Sequence, residues 1–169
     1  MVWPDYFDEV TNLINFCDEA GSAVPDWEYC FENITNETDL GRLKDKNANS
    51  FVYIFKMVGN NTDEVKKALC KQKTCNHTKH RKCPKVNKKS SQFLYVGSSR
   101  RNILGRIKQH LGQCPDATYA LKLFDWFTGH AHLYGREYSG ISPTALQILE
   151  DSISEKLKPM FGKQGGNGK

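Results

Sequence analysis

The sequence predicts an α+β fold: a small three-stranded sheet flanked by helices, preceded by a helical N-terminal extension. Three observations predict it. Two runs rich in β-branched and aromatic residues, FVYIFKMV from Phe51 and QFLYVG from Gln92, read as strands. Ile103, Leu104, Ile107 and Leu111 fall on one helical stripe that Gly112 ends. Leu146, Leu149, Ile153 and Leu157 repeat that spacing after Ile141-Ser142-Pro143, where Ser142 caps the helix and Ile141 and Leu146 occupy the two positions of a hydrophobic staple.

Taken in order, residues 1–50 form an acidic helical extension, in which Tyr6, Val10, Leu13, Ile14 and Cys17 recur at near-helical spacing until Gly21 and Pro25. The stretch DWEYCFENITNETDLGRLKDKNANS reads either as a second helix or as a tether, because Asn, Asp and Thr dominate it. Residues 51–163 form the main domain. Its first two strands are separated by a basic insertion, residues 59–91, too polar for core and too long for a hairpin turn, and so a surface excursion. TYALKLFDWF offers another helix, AHLYGREY a third strand, and residues 164–169 a flexible tail.

Hydrophobic residues make up 38% and charged residues 25% of the 169, which excludes the disordered class. No apolar run approaches the roughly 20 residues of a membrane span, and MVWPDYFDEV has no export-signal pattern, so a cytoplasmic location is expected. The sequons at Asn33, Asn36, Asn60 and Asn76 then carry no weight, and the six cysteines read as thiols or metal ligands before disulfides. Charge is divided unevenly. Residues 1–50 hold eleven acidic side chains against three basic, and the remainder holds 21 basic against eight acidic. That basic balance points to a phosphate-bearing partner.

Several residues fit phosphate chemistry. Glu150 lies about 60° from the centre of the last apolar stripe, where a carboxylate needs a cation or strong donors beside it. Arg106 and His110, four apart, project from one flank of the earlier helix and supply a fixed positive charge and a proton carrier. Tyr53 and Tyr95 sit mid-strand with Phe51, Phe55 and Phe93 as same-face neighbours, and Gly97 permits close backbone approach. Cys70, Cys75, His77, His80 and Cys83 offer five soft ligands within the insertion, which reads either as a zinc clip or as a flexible loop that grips DNA. Its cations Lys66, Lys67, Lys71, Lys73, Lys79, Arg81 and Lys82, with Arg100 and Arg101 before the helix, are candidate DNA contacts.

The ordered set FVYIF, FLYVGSS, NILGRIKQHL and ILEDSISEKLKPMFG resembles the GIY-YIG nuclease domain over roughly residues 51–163. The resemblance implies an antiparallel sheet and a DNA endonuclease that hydrolyses phosphodiester bonds. It puts Tyr53 and Tyr95 at the two motif tyrosines, Arg106 at the catalytic arginine, and Glu150 as ligand of one magnesium or manganese ion. His110 is similar to the histidine of restriction-type members. In this picture Tyr53, assisted by Tyr95 or His110, takes the proton of the attacking water, its pKa lowered by Arg106 and the metal. Three positions depart from the pattern: Phe51 where a glycine usually opens the first motif, Ser98 where a lysine is common, and Gly162 where an asparagine often stands. Lys163, Gln164 or an insertion lysine would then complete the site. The implied partner is double-stranded DNA, met by a homodimeric type II restriction-like enzyme; a repair or mobile-element nuclease and a non-catalytic nucleic-acid-binding module are the alternatives.

Overall fold

The computed structural model describes residues 26–35, 37–46, 49–59, 61–75, 82, 84–115 and 118–162. The helix expected around residues 6–17 and the tail from residue 164 lie outside these. The fold is α+β, with four strands rather than three: β1 (Trp27–Ile34), β2 (Ser50–Met57), β3 (Phe93–Ser99) and β4 (Ala131–Tyr138). They form one antiparallel sheet in the order β1-β4-β2-β3. The helices are α1 (Thr62–Cys75), α2 (Ile103–Leu111) and α3 (Pro143–Leu157).

The added strand is β1, which settles the stretch left open between helix and tether. Trp27, Tyr29 and Phe31 alternate with Glu28, Cys30 and Glu32, a period of two that turns Tyr29 and Phe31 inward. Two further expectations change. The insertion opens with the 14-residue helix α1, because Val65, Ala68 and Leu69 make a narrow apolar stripe and Asp63 and Glu64 favour its N-terminus. TYALKLFDWF contains only a 3-10 turn, Leu123–Asp125, entered through Lys122 in a left-handed conformation. Tertiary burial holds that stretch: Ala120, Leu121, Leu123, Trp126 and Phe127 are all inside, and Trp126 Nε1 donates to the Leu121 carbonyl at 2.9 Å.

Strand β2 is central, and all five residues of FVYIF are buried on one face or the other. On one face Tyr29, Phe31, Phe51, Tyr53, Phe55 and Leu133 pack with Ile103, Ile107 and Leu111 of α2 and with Leu69 of α1. On the other, Val52, Ile54, Val96 and Tyr138 meet Ala145, Leu146, Leu149, Ile153 and Leu157 of α3. The sheet is therefore sandwiched, and every fully buried leucine or isoleucine contributes about 1.5–3 kcal/mol. Helix α2 ends at Gly112 with φ 113, where its N–H reaches the Gln109 and Lys108 carbonyls. Helix α3 begins as its sequence signals, with Ser142 Oγ accepting from Ala145 N–H at 3.1 Å and Pro143 in the first position.

Edge strand β3 is extended rather than left bare. Met160 and Phe161 N–H groups donate to the Phe93 and Leu94 carbonyls at 2.7 and 2.9 Å. Asn87 N–H donates in turn to the Met160 carbonyl, and Gly162 N–H to the Lys85 carbonyl. Residues 160–162 thus lie between β3 and the returning limb of the insertion.

Candidate functional site

The site grows from one row of residues across the sheet. Tyr29 pairs with Gly135, Gly135 with Tyr53, and Tyr53 with Gly97. Each tyrosine ring lies across the glycine of a neighbouring strand. An added Cβ at Gly97 would meet Tyr53 Oη and Tyr95 Cε1 at 2.7 Å, and one at Gly135 would overlap Tyr29 Cζ. The glycines open a trough in the sheet surface, and the phenols fill it. Tyr95 stacks beside Tyr53, ring centroids 6.3 Å apart, and His110 of α2 packs on both rings at 4.5 and 5.6 Å.

Four of the five expected site residues meet here. Tyr53 Oη lies 3.1 Å from His110 Nε2 and accepts from Arg106 Nε at 3.3 Å. His110 Nδ1 accepts from the Leu121 backbone N–H at 3.1 Å, so Nδ1 is the bare nitrogen. Burial, reinforced by Arg106, pushes the imidazole pKa well below its ordinary value and keeps the ring neutral. The remaining proton is therefore on Nε2, and His110 donates to Tyr53. Both ring nitrogens are engaged and the residue is wholly buried, which suits holding a phenol better than carrying protons to solvent.

Arg106 is tied down at three points. Besides Tyr53, it reaches Gln109 Oε1 at 3.0 Å and the Tyr119 carbonyl at 2.9 Å through Nη1. Its partial burial opposes the charge, but the two phenol oxygens more than offset this and hold its pKa above the usual value. The reverse effect on the phenols is smaller. Burial, then Tyr95, raises the Tyr53 pKa far more than Arg106 lowers it; burial likewise raises Tyr95, against Arg106 and with Glu150. The lowering of Tyr53 expected from Arg106 is thus overridden by desolvation. Tyr53 is 0% exposed and Tyr95 9%, which makes Tyr95 the phenol nearer the opening.

Glu150 approaches from the other side of the sheet, on α3. It is half-buried, accepts a hydrogen bond from Ser98 Oγ at the end of β3, and its negative charge is felt at both Tyr53 and Tyr95. Ser98 thus holds the carboxylate directly. Gly162 has φ 104, and a Cβ there would sit 3.0 Å from Tyr95 Cε2. Its backbone packs against the Tyr95 ring.

Sequence reasoning missed Tyr119. It is 43% exposed, its carbonyl accepts from Arg106, and its hydroxyl accepts from Lys85 N–H at 3.1 Å. Nothing in its spacing marks it, since it lies outside any helix or strand. A groove of about 980 Å³ between α3 and residues 85–89 carries Lys85, Lys88, Lys89 and Lys158 beside Asp151 and Glu155. Lys85 joins this groove to Tyr119.

Of the expected DNA contacts, Lys67, Lys82, Arg100 and Arg101 are exposed, while Lys66 is half-buried and donates to the Lys88 carbonyl. Lys71 and Lys73 belong to α1, but their side chains, like that of Cys75, are outside the described set; Lys79, Arg81, His77, His80 and Cys83 lie outside it altogether. Cys70 is exposed on α1. The zinc clip falls mostly on these undescribed residues, and among the described residues no group of three or more His, Cys, Asp or Glu stands ready for a metal.

Comparison with known proteins finds no matching family model, curated protein or solved structure. Among the described residues no helix is long and apolar enough to cross a membrane.

Proposed function

We propose that the chain is a divalent-metal-dependent endonuclease of the GIY-YIG type, hydrolysing phosphodiester bonds in DNA in the manner of a restriction enzyme. One observation carries this reading. Two phenols, a guanidinium and an imidazole from β2, β3 and α2 share one hydrogen-bonded cluster, and the Glu150 carboxylate acts on both phenols from α3. A purely structural aromatic core has no need of a half-buried arginine with three acceptors.

The donor set suits a hard dication. Glu150 is a half-exposed carboxylate beside the Ser98 hydroxyl, and magnesium is commonly held by one or two carboxylates with water and substrate phosphate completing the shell. Glu150 would hold the ion, with Ser98 orienting its carboxylate. The bound ion supplies charge to polarise the scissile phosphate and stabilise the leaving oxygen.

The chain's own residues divide the remaining work. Arg106 neutralises charge on the phosphoryl oxygens, and its grip on Gln109 and the Tyr119 carbonyl fixes its direction before substrate arrives. Tyr95, at the opening, orients the attacking water through its hydroxyl. Tyr53 lies behind it as a phenol that burial keeps protonated, held by Arg106 Nε–H and His110 Nε2, and it positions Arg106 and Tyr95 rather than taking the proton itself. His110 is a positioning residue. Lys85, Lys88, Lys89 and Lys158, with Arg100 and Arg101, give phosphates a path to this cluster.

Incubation of supercoiled plasmid with the protein and magnesium tests the reading. Cutting by the unmodified protein and its loss in Glu150→Ala support it. The substitution of Gly162 for an asparagine favours the non-catalytic module instead, and binding without cutting by both proteins would establish that alternative.

A further inference from the structure

Tyr119 is an exposed aromatic residue held through its hydroxyl and through its backbone carbonyl. Its carbonyl is held by Arg106 Nη1 at 2.9 Å and its phenol oxygen by Lys85 N–H at 3.1 Å, yet 43% of the residue faces solvent. It acts electrostatically on Tyr95, and the Lys85 carbonyl anchors Gly162, whose backbone walls the Tyr95 ring. Tyr119 therefore stands between Arg106, which holds its carbonyl, and Lys85, which lines the lysine groove.

Tyr119 thus presents an exposed aromatic side chain whose hydroxyl is anchored by the Lys85 N–H, on a backbone whose carbonyl Arg106 grips. We propose that Tyr119 is a stacking platform for the nucleobase next to the scissile phosphate, so that the preferred substrate carries an unpaired or extruded nucleotide at that point. This rests on the nuclease reading above. A base in a continuous duplex has both faces occupied by its neighbours, whereas a nucleotide at a gap, flap, loop or single strand offers a free face to an aromatic ring. Stacking on an anchored ring spends little side-chain entropy, since the phenol is already in place. Lys85 beside it pairs with the phosphate of the same nucleotide.

The experiment uses the full chain carrying Glu150→Ala, to prevent cutting, and a single-stranded DNA oligonucleotide bearing 2-aminopurine, whose fluorescence is quenched on stacking. Affinity is read for Tyr119, Tyr119→Phe and Tyr119→Ala, each against an intact oligonucleotide and one with an abasic site. Tyr119→Phe keeps the ring but loses the hydroxyl anchor, and should keep quenching with an affinity loss much smaller than that of Tyr119→Ala. Tyr119→Ala should lose quenching and about 5- to 150-fold in affinity, the range for one base–aromatic stack, and should be indifferent to the abasic site. If Phe and Ala lose affinity equally, the hydroxyl bond to Lys85 is what matters and the stacking role is overturned. Equal affinity of all three proteins overturns it as well, and leaves the nuclease reading standing. Absence of binding to any oligonucleotide, single-stranded or duplex, overturns both.

Discussion

Replacing Gly97 by alanine places a methyl group where Tyr53 and Tyr95 already lie. The new carbon would stand 2.7 Å from Tyr53 Oη and from Tyr95 Cε1, and 2.8 Å from Tyr53 Cζ. Ordinary carbon contacts lie at roughly 3.5–4.0 Å, so both rings must retreat by about 1 Å. They have nowhere to go: Tyr53 is closed in by Phe55 and His110, and Tyr95 by His110 and the Gly162 backbone. Overpacking of this kind costs about 1–3 kcal/mol, equivalent to roughly 2–12 °C in Tm at this chain length. A displacement of about 1 Å in an oriented site costs on the order of 100-fold in rate. Urea unfolding followed by circular dichroism measures the first quantity, and the initial rate of plasmid nicking under folding conditions measures the second. Stability within about 0.5 kcal/mol of the parent, with an unchanged nicking rate, would refute the close packing of the phenols over the glycine.

Two further outcomes are expected. Because the folded His110 pKa lies below its unfolded value, the unfolded chain binds more protons below about pH 6.5, and stability falls there by up to about 1.4 kcal/mol per pH unit until the folded value is reached. Above that pH the contribution is constant. Denaturant titrations across this window should show the slope in the parent and a shallower one in His110→Gln; equal slopes would remove His110 as the cause. Arg100→Ala should weaken duplex binding alike for all sequences and reduce the steepness of log K against log salt by about 0.9, as for one phosphate contact; an unchanged slope would place Arg100 off the DNA path.

Much of the scaffold was legible from periodicity. Helices α2 and α3 and strand β4 appear where their stripes and caps place them, because Ser142, Pro143 and Gly112 act locally. Strand β1 was equally periodic in Trp27, Tyr29 and Phe31, but the acidic and amide residues around it masked the alternation. Helix α1 was hidden by its lysines, which leave only Val65, Ala68 and Leu69 to mark a face. In the site, the meeting of Tyr53 with Tyr95 follows from pairing two strands that each bear a central tyrosine. The burial of His110 does not follow from its helix. It sits on the flank of the α2 stripe and becomes enclosed only because Leu121 and its neighbours fold over it, a long-range event with no local signal. Tyr119 is invisible for the same reason.

The threading of residues 160–162 between β3 and the insertion also bears on how the chain is made. A growing polypeptide can complete β2, β3 and β4 while one rim of the sheet is still unsealed, because its natural cover is encoded well downstream, at Met160 and Phe161. Until that stretch is available, Phe93 and Leu94 offer open carbonyls to any other nascent strand, which leaves this rim open to mispairing during biosynthesis.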